Sequence, residues 1–270
     1  MTVLEICVDS VESAIAAERG GARRVELCSD LLEGGITPSL GLLEMVRRRV
    51  GIDVFVMIRP RGGDFCYTDD ELAVMKVDID HAKRLGADGV VLGILDAEGR
   101  VDVERTRELV ELAQPLPVTF HRAVDVSADL WDSLDRIVAT GAQRVLTSGG
   151  KRRVADSTRE IADAIERTRG RLTIMAGGGL NPENIRAVAE ETGAEEYHAS
   201  LNTGIESPVR RNDSLFLGAD PERDYTRYVV REEDVRSLYE GLKEVVNGRT
   251  TVGRTTAGRA PAGHRPTEDA

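Results

Sequence analysis

The sequence has few lysines and no long apolar run, and each shortage excludes a class of protein. Only four of its 36 basic residues are lysines, and 47 acidic residues give a net charge of −11. An acidic surface argues against nucleic acid and anionic membranes as partners, because both require a basic footprint. No run approaches the roughly 18 apolar residues of a membrane span, and the residues after Met1 lack a signal-peptide pattern. We therefore expect a cytoplasmic location.

Cysteine is also scarce, and its spacing argues against a disulfide framework. The three cysteines are Cys7, Cys28 and Cys66, an odd number without closely spaced pairs. Such usage predicts reduced thiols in a cytoplasm. Cys66 lies in a loop-like run, GGDFCY, and is interpreted as incidental.

The first thirty residues contain two strand-like runs that share a pattern. The runs are Leu4–Cys7 and Val25–Cys28, and each ends in Glu-x-Cys. Side chains alternate in a strand, so glutamate and cysteine share one face while the aliphatic residues share the other. Asp9 as an N-cap and Gly20–Gly21 as a stop predict a helix between the runs. Two parallel neighbouring strands would then bring two carboxylates and two thiols together.

A repeated Gly-Ala joint organises the rest of the chain. It occurs at Gly21, Gly86, Gly141 and Gly193, each time before a strand-like run. A glycine that adopts positive φ ends a helix and lets the chain turn into the next strand. Each interval between successive joints has room for one further strand. The sequence therefore predicts eight strands, at 3–8, 24–27, 54–58, 89–94, 117–121, 144–147, 172–176 and 196–199. Eight alternating strands and helices predict a single-domain (β/α)8 TIM barrel over residues 1–246.

Beyond the eighth strand the pattern weakens. Leu201–Tyr228 is polar and is predicted to form a long loop over the barrel mouth. A last helix fits Glu232–Val246, with apolar residues on one face. Residues 247–270 have no apolar period and are predicted to be a disordered tail.

The barrel mouth is predicted to carry an unusual number of ionisable groups. In each strand the apolar face must lie under the helices, so the other face points into the lumen. The predicted rim is Glu5, Cys7, Glu26, Cys28, Arg59, His121 and His198, with Arg61, Arg122 and Asp125 just beyond the strands. Barrel lumens are normally filled by branched aliphatic residues, and buried charges are costly unless they pair or bind a ligand. This ring is therefore a candidate site.

Nine motifs along the chain resemble those of the copper homeostasis protein CutC family. They are EICVDS, RVELCSD, EGGITPS, IRPRGGDF, GADGVVLG, VTFHRAVD, RVLTSGG, IMAGGG and EYHAS, and they occur in this order between Thr2 and Val246. The resemblance implies a cytoplasmic (β/α)8 barrel, often a homo-oligomer, with a link to copper tolerance. It also implies that Cys7 and Cys28 are the ligands of Cu(I).

Residue chemistry supports copper binding and also offers an alternative. Thiolates are soft ligands that select Cu(I) over hard cations, and strands about 4.8 Å apart could hold two sulfurs around one ion. Glu5 and Glu26 would raise the thiol pKa values unless Arg59 neutralises them. In the alternative, Cys7 and Cys28 are buried as small hydrophobic residues. Zinc is less well matched, because Cys-x-x-Cys and His-x-x-x-His spacings are absent.

A second hypothesis is an enzyme that acts on a small anionic metabolite, phosphorylated or carboxylated. His121 would be the general acid or base, with Asp125 as its orienting partner and Glu5 or Glu26 as the second proton carrier. The anion would be bound by three arginines, His198 and two glycine-rich turns. The three arginines are Arg59, Arg61 and Arg122, and the two turns contain Ser148, Gly149 and Gly150, and Gly177 and Gly178. A Schiff-base mechanism is disfavoured, because no lysine points inward from a strand.

Simpler structural roles are also open for these groups. The glycines could serve only as tight turns. Glu5, Glu26 and Arg59 could form a buried ion-pair network that fixes the register of the barrel. The acidic surface and the segment Leu201–Tyr228 could indicate an interaction protein without chemistry, although charged faces are usually only solvated.

Overall fold

Eight parallel strands close into a barrel, as the sequence predicts. A computed structural model describes residues 2–210 and 225–256. The barrel strands are β1 (Val3–Val8), β2 (Arg24–Leu27), β3 (Asp53–Met57), β4 (Gly89–Leu92), β5 (Val118–Phe120), β6 (Arg144–Thr147), β7 (Thr173–Gly177) and β8 (Glu196–Ala199). Each strand pairs in parallel with the next, and β8 pairs with β1 to close the barrel.

The helices follow the strands and surround the barrel. They are α1 (Val11–Gly20), α2 (Leu40–Arg49), α3 (Asp69–Arg84), α4 (Val103–Ala113), α5 (Leu130–Thr140), α6 (Thr158–Thr168), α7 (Ile185–Thr192) and α8 (Glu232–Thr256). The predicted stop of α1 is confirmed, because Gly21 caps it with φ of 105°. Its N-cap is Ser10 rather than the predicted Asp9, because the Ser10 hydroxyl accepts a hydrogen bond from the Ser13 amide.

The C-terminal region differs from the sequence-based expectation. Residues Asn202–Glu206 form β9 and Thr226–Val230 form β10, and the two strands pair antiparallel. The ends of the predicted loop are thus a two-stranded sheet, and 211–224 lie outside the described residues. Helix α8 continues to Thr256, so residues 247–256 of the predicted tail are helical; no proline interrupts them. The remaining tail, 257–270, also lies outside the described residues.

The final helix closes the outer layer, which contains the main core. Helix α8 packs against α1 and α7 and thereby covers the seam between the first and last strands. Side chains such as Leu4, Ile6, Val25 and Leu27 point outward from the barrel into this layer and are buried. In the described part of the chain, no helix is long and apolar enough to cross a membrane.

The opposite strand faces fill the lumen. A separate small cluster contains Cys7, Cys28, Phe55, Met57 and Val91. The predicted orientation of the first two strands is therefore confirmed: their sulfur side chains point toward the barrel axis. Alternation places Glu5 and Glu26 on the same inner face, and both are buried.

Below the cysteines, the lumen contains a charge network that the sequence analysis missed. Arg24 forms ion pairs with Glu5 and, at 2.5 Å from Nη2 to Oε2, with Glu196. Arg144 pairs with the same Glu196 carboxylate at 2.5 Å. Both guanidinium groups lie over the Phe55 ring, with 4.7 and 5.2 Å between the guanidinium carbon and the ring centroid. Two arginines and two glutamates therefore compensate one another inside the barrel.

The network makes a prediction for stability. We expect Arg24→Met to lower the free energy of unfolding by about 3–5 kcal/mol, because it leaves the buried Glu5 carboxylate without its cation. The double variant Arg24→Met/Glu5→Gln should recover most of this loss, since the uncompensated charge is then removed. Urea unfolding of the metal-free protein measures both values. A double variant as unstable as Arg24→Met alone would contradict this role of the ion pair.

Candidate metal centre at the barrel mouth

Two thiols lie side by side near the carboxyl ends of the first two strands. Cys7 is the fifth residue of β1, and Cys28 directly follows β2. The register pairs Cys7 with Glu26, which places Cys28 one inward step further toward the mouth. The two sulfurs are 3.8 Å apart, and both side chains are buried. Both residues are free cysteines, so the sulfurs are available as ligands.

His198 and Glu26 complete a group of four potential ligands. One ligand atom each from Cys7, Glu26 and His198 lies within 4.8 Å of the others. The His198 ring is held by Glu5, whose Oε1 lies 2.7 Å from Nδ1. Its Nε2 atom faces Glu26, at 3.7 Å from Oε2. A carboxylate that fixes one ring nitrogen and leaves the other for an ion is the usual support of a metal-binding histidine.

The electrostatics of this group favour one thiolate beside one imidazolium. The hydrogen bond with Cys28, helped by His198 and opposed by burial, lowers the pKa of Cys7 to about 5. Burial lowers the pKa of His198, but Glu26, Cys7 and Glu5 outweigh it and hold that pKa well above its usual value. At neutral pH the group therefore contains a thiolate, which is the form that binds metals.

The pKa values of Cys28 and Glu26 are raised instead. The hydrogen bond with Cys7, reinforced by burial, raises the pKa of Cys28 well above its usual value. Burial and the neighbouring Cys7 likewise raise the pKa of Glu26. Glu5 behaves differently, because Arg24 and His198 overcome the effect of burial and lower its pKa to about 2. The sequence predicts that Arg59 neutralises the inward-facing glutamates. In the structure Arg24 pairs with Glu5 instead.

Arg59 lines the mouth but does not contact Glu5 or Glu26. Its Nη1 atom donates to the carbonyl oxygens of Glu33 at 2.6 Å and Gly35 at 2.9 Å, and Nη2 donates to Gly63 at 2.9 Å. The guanidinium also lies 4.8 Å from the centroid of the Phe65 ring. Arg59 thus ties two loops together over the barrel mouth.

Arg61 does not line the cavity, contrary to the sequence-based expectation. Its Nε atom pairs with Glu71 at 2.5 Å, and its Nη2 atom pairs with Asp64 at 3.0 Å. Glu71 belongs to the capping box of α3, so Arg61 is held at the start of that helix. This local pairing turns the side chain away from the mouth.

The proposed pairing of His121 with Asp125 is wrong. Asp125 accepts hydrogen bonds from Thr147, the Ser148 amide and the Gly150 amide, and it pairs with Arg122 at 2.8 Å. The physical reason is the 3-10 turn of Arg122–Val126, which directs this carboxylate toward the loop after β6. His121 itself is buried, and its Nδ1 atom accepts a hydrogen bond from the Ala123 amide at 3.3 Å.

The glycines after β6 serve as turns rather than as free amide donors. Gly149 and Gly150 have φ of 69° and 72°, the left-handed region that favours glycine. Their amides donate to Thr147 Oγ1 at 2.9 Å and to Asp125 Oδ1 at 3.1 Å. The predicted use of these two amides for an anion is therefore wrong, because both already have partners.

The glycines at the end of β7 permit close packing. A Cβ atom on Gly177 would lie 2.5 Å from Leu146, and one on Gly178 would lie 2.9 Å from the Ser148 Cβ. Gly178 also has φ of 103°. These positions bring Ser148 and Arg122 close to β7, where Arg122 Nη2 donates to the Ser148 hydroxyl at 2.8 Å.

An open cavity of about 300 Å³ connects most of these groups. It is lined by Cys7, Glu26, Leu31, Glu33, Gly34, Met57, Arg59, Phe65, His121, Arg122, Leu146, His198, Ser200 and Asn202. One wall carries the sulfur, carboxyl and imidazole groups of Cys7, Glu26 and His198. Another part of the lining carries Arg59, His121 and Arg122.

The chain is similar to two CutC sequences over nearly its whole length. A protein from Mus musculus named copper homeostasis protein cutC homolog is 47% identical over 246 residues, which are 90% of each chain. A family protein CutC from Chromobacterium violaceum is 44% identical over 241 residues, which are 89% of this chain and 98% of that one.

A solved structure and a family model agree with these relatives. The CutC structure from Streptococcus agalactiae has a TM-score of 0.70 and 37% identity, and it covers 73% of this chain and 98% of that one. The model of the CutC family matches residues 2–203, the region that contains the barrel and the thiol pair. The chain belongs to the CutC family.

Proposed function

We propose that this protein takes part in copper homeostasis by binding Cu(I) through Cys7 and Cys28, with His198 as a third ligand. The Mus musculus relative carries copper homeostasis in its name. The observation that carries the proposal is the pair of inward-facing sulfurs, 3.8 Å apart. Two soft sulfur donors favour Cu(I), whereas hard cations prefer oxygen ligands.

The distance between the sulfurs supports a third ligand. A metal–thiolate bond is about 2.3 Å long, so a straight sulfur–metal–sulfur unit would require about 4.6 Å between the sulfurs. The observed 3.8 Å fits a bent arrangement, which leaves one side of the ion open. A ring nitrogen of His198 lies within 4.8 Å of a ligand atom of Cys7. Glu5 holds Nδ1, so Nε2 is the nitrogen that would bind the ion once it releases its proton.

The donor set also argues for Cu(I) over zinc. Zinc sites in proteins use deprotonated sulfur, neutral imidazole and ionised carboxylate groups. Burial and Cys7 raise the pKa of Glu26, so this carboxyl is harder to ionise than an ordinary glutamate and is a weaker oxygen ligand. Its Oε1 atom is buried and has no hydrogen-bond partner among the described residues. We assign Glu26 to the support of the sulfurs, since its Oε2 atom lies 3.6 Å from Cys28 Sγ.

We place this activity in the cytoplasm. Two sulfurs this close to each other remain free thiols only where the surroundings are reducing, and a cytoplasm meets that condition. The homo-oligomeric state expected from the family resemblance stays a prediction.

Copper uptake tests the sulfur ligands. We expect the reduced protein to take about one Cu(I) per chain from a chromogenic chelator, because the two sulfurs form one soft site. Cys7→Ser and Cys28→Ser should each abolish this uptake. Cys66→Ser is the matched control, since Cys66 is exposed and lies in a loop, and it should bind as the parent protein does. Undiminished uptake by a Cys7→Ser/Cys28→Ser double variant would rule out this site.

X-ray absorption of the copper-loaded protein tests the third ligand. We expect two sulfur scatterers and one nitrogen scatterer in the parent protein and only the sulfurs in His198→Gln. The same substitution should lower the Cu(I) affinity by at least about tenfold. His81→Gln removes a histidine on the outer helix α3 and serves as the control. A parent spectrum with two sulfurs alone, unchanged in His198→Gln, would exclude His198 from the copper site.

A further inference from the structure

The cavity at the barrel mouth is larger than a copper site requires. Its volume is about 300 Å³. This size lies at the lower end of small-molecule pockets. Cys7 is the member of the thiol pair that lines this cavity. The rest of the lining carries Arg59, His121 and Arg122 beside apolar side chains and the acidic Glu33.

Arg59 is a buried cation without a carboxylate partner among the described residues. It is 4% exposed, and its hydrogen bonds with the loops go to main-chain carbonyl oxygens. These carbonyls are neutral and supply no compensating charge. A buried charge is costly unless an opposite charge accompanies it, so the surroundings of Arg59 are suited to an anion.

His121 adds a buried hydrogen-bond donor to the same cavity. The ring is 4% exposed, and Nδ1 accepts a hydrogen bond from the Ala123 amide. In the neutral ring the proton is therefore on Nε2, and Nε2 has no partner among the described residues. Burial, together with the charge of Arg59, lowers the pKa of His121 to about 3, which keeps the ring neutral. An unpartnered buried donor destabilises the fold, and a ligand oxygen would remove that cost.

Arg122 provides a second guanidinium at the cavity rim. Its Nε atom is held by Asp125 at 2.8 Å and its Nη2 atom by the Ser148 hydroxyl at 2.8 Å. These contacts orient the planar group before any ligand arrives. The side chain lines the cavity and is 43% exposed, so it is accessible from solvent.

We propose that the cavity binds a small carboxylate- or phosphate-bearing molecule, with its oxyanion between Arg59 and His121 and with Arg122 at the rim. The site lies at the ends of β3 and β5, whereas the thiol pair lies at the ends of β1 and β2. The proposal is independent of copper, because none of these three residues is a ligand in the copper site. If the anion does not bind, the copper proposal is therefore unaffected.

Titration calorimetry on the copper-free protein tests this site with malonate and with inorganic phosphate at constant ionic strength. Malonamide is the matched neutral probe, because it has the size of malonate without its charge. We expect at least one anion to bind more than tenfold more tightly than malonamide. Binding of malonate alone would assign a carboxylate ligand, and binding of phosphate alone would assign a phosphorylated one. No binding of either anion up to about 10 mM would overturn the proposal.

Variants locate the binding within the cavity. His121→Phe keeps an aromatic ring but removes the donor, and we expect it to weaken anion binding at least tenfold while copper uptake is unchanged. Arg122→Gln should weaken binding similarly. Arg159→Gln is the control for lost positive charge, since Arg159 is 91% exposed on α6, and it should have no effect. The Cys7→Ser/Cys28→Ser protein should still bind the anion. Equal weakening by Arg159→Gln, or full binding by His121→Phe, would overturn the proposal.

Discussion

The Glu5 carboxylate connects the interior of the barrel to its mouth. One oxygen pairs with Arg24 in the lumen, and the other lies 2.7 Å from His198 Nδ1. Because both contacts come from residues on neighbouring strands, they require the register that aligns β1 with β2 and β8. The same register brings Cys7 beside Glu26. The orientation of the imidazole and the position of the thiol therefore depend on one buried charge and its two partners.

Period-two alternation was sufficient to predict which strand faces meet at the barrel axis. It correctly placed Glu5, Cys7, Glu26 and Cys28 inside, because their neighbours are apolar enough to lie under helices. The same alternation places Arg24 on the inner face, two residues before Glu26, and this signal was present in the sequence. The compensating cation was instead expected at the mouth, where Arg59 lies.

The loops could not be predicted in the same way. Loop side chains have no fixed period, so their direction depends on local hydrogen bonds. Asp125 lies four residues after His121, yet a 3-10 turn directs it to the loop after β6. Arg61 is drawn to Glu71 at the start of α3. Neither partner is indicated by a strand pattern, and each requires tertiary structure to be identified.

The balance of buried charge separates the structural part of the lumen from the functional part. Below the cysteines, the two glutamates of the Arg24 network neutralise its two arginines, so that layer needs no ligand. At the mouth, Arg59 is buried without a carboxylate partner among the described residues, and its hydrogen bonds to the loops go to main-chain carbonyls. His121 Nε2 has no hydrogen-bond partner there. Buried groups of this kind are costly to a folded protein. A structural network would be expected to compensate them internally, so their persistence beside an open cavity argues that a ligand does so.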